Sequence, residues 1–243
     1  MKRIWLFTVF CVHLSLVFGL FAPLTAQAAD VTPMVAVSNS YTVALKADGT
    51  VWSWGQGGSG EMGNGVSYVY ETVVYPPVQA SISDVKYIAI GNSATYAIKT
   101  DGTLWSWGWN ASGELGVGDT ESRNLPVQIT GLSNIIQVSG SNGGCAVCLK
   151  DDGTVYAWGY NYYGEVGNGS TTMSIVPVLV TATDFTDIRA IDSGANHVVA
   201  RKGDGTVWTW GRNDTKQCGR GAQTRYTSPG QVTTTGVQDI IKV

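Results

Sequence analysis

Histidine is nearly missing from this chain: two occur among 243 residues, His13 and His197. Charge is sparse as well, since Asp, Glu, Lys and Arg make up 14% of the residues and leave a formal net charge of −3. Without a Lys/Arg cluster, the chain lacks the electrostatic footprint of a nucleic-acid binder. Cysteine is limited to Cys11, Cys145, Cys148 and Cys218. A zinc centre built on Cys145 and Cys148 would need a second cysteine pair or histidines. The pair also lies in GGCAVCLKDDG, which reads as a strand, and positions i and i+3 of a strand point to opposite faces. Free buried thiols are therefore expected, and nothing in the composition implies a metal or another cofactor. Beyond residue 28, no segment is long and apolar enough to cross a bilayer as a helix.

The first 28 residues differ from the rest. Lys2 and Arg3 precede an apolar run from Ile4 to about Phe21, and Ala26-Gln27-Ala28 closes the segment. This is the order of a secretory signal peptide, with cleavage expected after Ala28. A retained membrane anchor is the alternative, because the run approaches the roughly 18 residues that can span a bilayer. The short leader suggests a bacterial source and an exported protein. Losing Lys2 and Arg3 moves the net charge from −3 to −5.

What the chain has in abundance is glycine, 31 residues, and tryptophan, 9. Both recur on a period: aligned on Asp-Gly-Thr, four copies start at Asp48, Asp101, Asp152 and Asp204, spaced 53, 51 and 52 residues apart. A fixed period near fifty marks an array or propeller. Each copy opens with two β-rich runs joined at Gly, Asn or Ser, for example YIAIGNSATYAIK. Asp-Gly then makes a hairpin turn into TVWSWG, TLWSWG, TVYAWG or TVWTWG. These strands alternate strictly, with Trp52 and Trp54 on one face and Val51 and Ser53 on the other, so both faces can be packed. A glycine-rich loop follows, as in GWNASGELGVG. It lacks the Gly-Lys-Ser/Thr and the helix of a phosphate cradle, so it reads as a sharp corner where neighbouring units crowd. A Pro-Val segment completes the copy, at Pro77, Pro126, Pro177 and, less regularly, Pro229, as befits an outer strand. Four short strands make one blade. The expectation is an all-β propeller domain over residues 29–243, built from about four repeats of 51–53 residues, with a partial fifth at 237–243.

SGANHVVA (193–200), DGTVWSWG (48–55) and GWNASGELGVGD (108–119) resemble the signatures of the regulator of chromosome condensation repeat family, and the resemblance covers residues 33–243. It implies β-propeller blades. The family's histidine is retained only as His197, with Tyr41, Ala94 and Cys145 in its other places. Arg201 replaces Leu45, Ile98 and Leu149, and Lys216 replaces Gly60, Gly113 and Gly164. Family propellers usually close with seven blades, whereas four copies are present here, and MVAV (34–37) and DIIKV (239–243) occupy the same strand of the repeat. An open or partial propeller follows as the expectation, with an unpaired blade edge that favours self-association.

Function is expected where the copies disagree. The residues after each Trp-Gly are Gln56, Trp109, Tyr160 and Arg212, and the third corner adds Tyr162 and Tyr163. Trp, Tyr and Arg are enriched in binding hot spots. Trp109, Tyr160, Tyr162, Tyr163 and Arg212 are accordingly the candidate surface for a protein or cell-surface ligand, and the chain reads as a non-enzymatic interaction module. Secreted bacterial propellers similar to the family include an inhibitor of β-lactamases that uses aromatic loop residues, which makes inhibition of a secreted enzyme a narrower alternative. The leader and the net charge of −5 oppose the exchange-factor and chromatin roles of nuclear members. A carbohydrate hydrolase is the reading of a different class, with acids drawn from Asp48, Asp101, Asp152, Asp204, Glu61, Glu114 and Glu165. Paired carboxylates could serve it if they stood about 5 to 9.5 Å apart, but each sits in a turn that already explains it. The glycosylation patterns at Asn110, Asn168 and Asn213 likewise coincide with repeat loops and read as turn residues.

Overall fold

The Asp-Gly-Thr turn is the local rule from which each blade is built. Asp48 Oδ1 accepts from the Thr50 backbone N–H at 3.0 Å and from its hydroxyl at 2.6 Å, and Gly49 takes the left-handed φ of 77° that the turn requires. Asp101, Asp152 and Asp204 repeat the arrangement with Thr103, Thr154 and Thr206. These bonds favour the ionised carboxyl, and Asp48 and Asp152 are drawn down to about 2.

The computed structural model describes residues 31–69, 72–233 and 237. The expected leader at 1–28 lies outside the described residues, as does the expected fifth repeat apart from Val237. Within them the chain is all β, without a helix. Blade 1 holds β1 (Met34–Val37), β2 (Tyr41–Leu45), β3 (Val51–Gln56) and β4 (Val73–Gln79). Blade 2 holds β5 (Val85–Ile90), β6 (Ala94–Lys99), β7 (Leu104–Gly108) and β8 (Arg123–Gln128). Blade 3 holds β9 (Ile135–Gly140), β10 (Cys145–Lys150), β11 (Val155–Gly159) and β12 (Ser174–Leu179). Blade 4 holds β13 (Ile188–Ser193), β14 (His197–Lys202), β15 (Val207–Arg212) and β16 (Arg225–Gln231). Each blade is an antiparallel meander of its own four consecutive strands, with the proline-bearing strand at the outer edge.

The blades pack face to face in chain order, and their inner strands β1, β5, β9 and β13 touch in succession. Val43, Leu45, Val51 and Met62 of blade 1 meet Val85, Ile88, Ala97 and Trp107 of blade 2. Tyr96, Ile98, Leu104 and Leu115 of blade 2 meet Val138, Ala146, Cys148 and Trp158 of blade 3. Val147, Leu149, Val155 and Val166 of blade 3 meet Ile191, Val198, Ala200 and Trp210 of blade 4. Strand alternation thus places the core between blades rather than within them. It also separates the cysteines: Cys148 joins the seam with blade 2, Val147 lies on the opposite face beside Cys145, and both thiols are free and buried.

The two aromatic residues of each third strand, both tryptophan except for Tyr156 in blade 3, share a face but do different work. The first stands near the turn, where the indole of Trp105 donates to Thr103 Oγ1 at 3.0 Å and the Lys99 ammonium lies 5.6 Å from its ring. The second bridges to the preceding blade. Trp107, Trp158 and Trp210 donate Nε1–H to the backbone carbonyls of Glu61, Glu114 and Glu165 at 2.9, 2.7 and 2.7 Å. The corner glycines make room for this: a Cβ on Gly116 would stand 2.8 Å from Trp158 Nε1. The four blades form an open arc. Val35 on blade 1 is 63% exposed, while its counterparts Ile88, Val138 and Ile191 are at most 1% exposed.

Candidate functional site

The turns lie at one end of the arc. At the other, the β1–β2 type of connection meets the glycine corner of each blade. In blade 2 that corner is pinned from inside by Asn110, whose Oδ1 accepts from the Leu115 N–H at 2.9 Å while its Nδ2 donates to the carbonyls of Asp119 and Glu121. Asn161 and Asn213 pin the next two corners in the same way. Asn110 and Asn213 are therefore buried anchors rather than glycan acceptors, while Asn168 is exposed.

The corner glutamates are also committed to shape. Glu61, Glu114 and Glu165 each turn Oε2 back onto their own loop, accepting from the N–H of Ser59, Ser112 and Tyr163 at 2.7, 2.7 and 2.8 Å. All three are buried, and burial pushes their carboxyls above the ordinary range. In blade 4 the position is Gln217, which keeps the same bond from Thr215 without a charge.

On this frame the variable side chains are displayed. Trp109, Tyr160 and Arg212 hold matching positions, each backbone N–H bound to the inner loop of its own blade at Ser93, Gly144 or Asn196. Trp109 is 40% exposed at the first seam, where it walls two shallow polar clefts of about 350 and 400 Å³ together with Ser59. Tyr160 is half-buried at the second seam beside the Glu114 carboxylate. Burial raises its phenol above the usual value.

At the third seam the side chains converge. The rings of Tyr162 and Tyr163 make an edge contact with centroids 4.9 Å apart, and Tyr162 is 58% exposed. The Arg212 guanidinium lies 5.0 Å from the Tyr163 ring and forms a two-pronged pair with Asp214, at 2.9 and 2.6 Å. Arg225, at the start of β16, donates to the Tyr162 carbonyl at 3.2 Å and stands 6.0 Å from its ring. The structure thus gathers Tyr162, Tyr163 and Arg212 into one patch, brings the Tyr160 phenol close enough to feel Glu165 and both of those tyrosines, leaves Trp109 at another seam, and adds Arg225, which sequence reasoning missed. Arg225 gave no periodic signal because its counterparts Val73, Ser122 and Met173 share no residue type with it or with one another. Among the described residues no cluster of three or more His, Cys, Asp or Glu could hold a metal ion.

Family models of the regulator of chromosome condensation (RCC1) repeat match residues 48–98, 101–148, 152–201 and 204–243, and a second form of the repeat matches 85–114, 135–165 and 188–219. The chain is 29% identical over 211 residues to the ultraviolet-B receptor UVR8 of Arabidopsis thaliana, a match covering 86% of this chain and 48% of the relative. It is 31% identical over 196 residues to the E3 ubiquitin-protein ligase HERC2 of Homo sapiens, covering 77% of this chain and 4% of that one. The chain thus spans about half of the first relative and a small part of the second. Among solved structures, Prp20p of Saccharomyces cerevisiae aligns with a TM-score of 0.72 at 24% identity, over 85% of this chain and 52% of that one. Human WBSCR16 aligns with a TM-score of 0.71 at 21% identity, over 82% and 51%.

Proposed function

Because this chain belongs to the regulator of chromosome condensation (RCC1) repeat family, we propose that it acts as an exported, non-enzymatic interaction module whose loop end binds a protein or cell-surface ligand. The observation that carries this reading is the patch at the third seam. Tyr162 is a large exposed ring held by Tyr163 on one side and Arg225 on the other, so little freedom is lost when a partner covers it. Tyrosine and arginine are also the side chains that dominate interface energetics. The carboxylates that a hydrolase would need are bound to their own turns and corners, which favours binding over catalysis. Export rests on the leader-like order of residues 1–28. Prp20p is described as binding Gsp1p and histones, which supports protein binding by this fold without naming the partner here.

The test begins with cross-linking on the producing cell, identification of the linked partner, and titration of that purified partner against variants. Tyr162→Ala and Arg225→Ala should each weaken binding by about 1 kcal/mol or more, roughly fivefold or greater, with the fold unchanged by circular dichroism. Equal affinity for all variants would remove the third seam from the interface.

A further inference from the structure

The first seam differs from the third at two matched positions. At the third, Tyr162 of the corner meets Arg225 of the next blade. At the first, Gly58 stands in the place of Tyr162 and Ser122 in that of Arg225. Two large side chains are missing from the same space, and the outer cleft of about 350 Å³ opens there, with Ser59, Ser67, Tyr68, Ser122 and Asn124 facing Trp109. Gly57 completes the change, because it replaces the asparagine pin of the other corners. Tyr68 packs over it, so closely that a Cβ on Gly57 would stand 3.1 Å from the ring. Asn64 Nδ2 donates to the Tyr68 hydroxyl at 2.9 Å and holds it in place.

The inner cleft, about 400 Å³, shares Trp109 and Ser59 and lies toward the inner loops, where Asn39, Gln56 and Asn92 line it. Among the described residues no Lys or Arg lines either cleft, and Glu61 is the one charged wall, its Oε2 already accepting from the Ser59 N–H at 2.7 Å. Arg123 is near, but its guanidinium is paired with Asp119. An anionic ligand therefore finds no charge-assisted partner. No aliphatic side chain among the described residues lines the clefts either, so they lack the apolar centre of a protein interface. What remains is an aromatic surface bordered by amides and hydroxyls, which together donate and accept. A pyranose ring is the complement of such a surface: its C–H groups cover an aromatic ring, and its hydroxyls both donate and accept.

We propose that the first seam is a saccharide site, in which a neutral oligosaccharide lies across Trp109 with one pyranose ring in each cleft. Both clefts have the volume of small-ligand pockets. The platform is set before the ligand arrives: Trp109 is 40% exposed, and its backbone N–H is bound to the Ser93 carbonyl at 2.9 Å. The site uses none of the residues of the Tyr162 patch.

Isothermal titration calorimetry of the full chain with cellotetraose, maltotetraose, mannotetraose and chitotetraose tests this, with tetragalacturonate as the anionic comparison. At least one neutral tetrasaccharide should bind saturably in the millimolar range or tighter, and tetragalacturonate at least tenfold more weakly. Trp109→Ala should weaken that binding at least tenfold, Trp109→Phe much less, and Asn92→Ala several-fold. Gly58→Tyr, which fills the outer cleft, should weaken it at least tenfold with the fold unchanged by circular dichroism, since blade 3 carries Tyr162 at the same position. Binding to none of the neutral sugars, binding that either Trp109→Ala or Gly58→Tyr leaves unchanged, or equal affinity for tetragalacturonate would overturn the proposal. If Trp109→Ala weakens the cross-linked protein partner while no saccharide binds, the seam belongs to the protein interface and the proposal falls too. Neither saccharide result bears on the Tyr162 patch, which is read by partner titration.

Discussion

The outward face of blade 1 and the faces by which blades 2, 3 and 4 meet their predecessors are built from matching residues. Ala44 pairs across its ladder with Val35, as Ala97 does with Ile88, Cys148 with Val138 and Ala200 with Ile191. Trp54 matches Trp107, Trp158 and Trp210, each of which is fully buried. Only the surroundings differ. In three blades these side chains are core, and in one they are surface, so what distinguishes core from surface here is a neighbour and not a residue type.

The largest expected effect separates Trp158 from Trp54. Trp158→Ala should cost about 3–5 kcal/mol, because it empties a packed seam and leaves the Glu114 carbonyl without its donor. Trp54→Ala should cost about 1 kcal/mol or less in urea unfolding at concentrations low enough to keep the chain monomeric. Equal costs would mean that the blade 1 face is covered within the protomer.

A smaller difference is expected between two glycines of matching conformation. Gly116 has φ 68° and Gly219 has φ 62°, so alanine is strained at both by about 1–2 kcal/mol. At Gly116 the methyl also collides with the Trp158 indole, and overpacking adds about 1–3 kcal/mol. The gap between the two midpoints isolates the contribution of the Trp158 indole.

The smallest effect is electrostatic and contrasts the first three corners with the fourth. Glu61, Glu114 and Glu165 have carboxyls raised by burial, so the native state binds protons more tightly than the unfolded chain. Their contribution is fully present below the ordinary value of 4.5 and is lost as pH rises through the raised native values. Glu114→Gln, which copies Gln217, should flatten part of that decline in a series of urea midpoints against pH. Asp48 and Asp152 act with the opposite sign: their contribution is present above 3.8 and is lost as pH falls through about 2.

Much of the fold was legible because its determinants are local. The Asp-Gly-Thr turn, the alternation in TVWSWG and the crowded corner each follow from a few adjacent residues, and the copies confirm one another. The shared face of Trp52 and Trp54 was legible too, but not the division of labour between them. That division depends on which end of the strand abuts the preceding corner. The candidate site was legible only in part. Tyr162, Tyr163 and Arg212 stood out because they break the repeat, whereas Arg225 reaches Tyr162 across 63 residues of chain from a position where the copies share no residue type. Trp109 broke the repeat equally visibly, but the blade-to-blade spacing sets it apart from that patch.

Each unit carries both its own bridging tryptophan and its own glycine corner, so the two halves of a seam are inherited together. Duplication or loss of one whole unit in the gene reproduces a seam already proven elsewhere in the chain. Insertion of a few residues between Trp-Gly and the corner would instead spoil the glycine corner against which the following blade's indole packs. Such an architecture lengthens or shortens by entire blades, while its variable loop residues remain free to diverge one unit at a time.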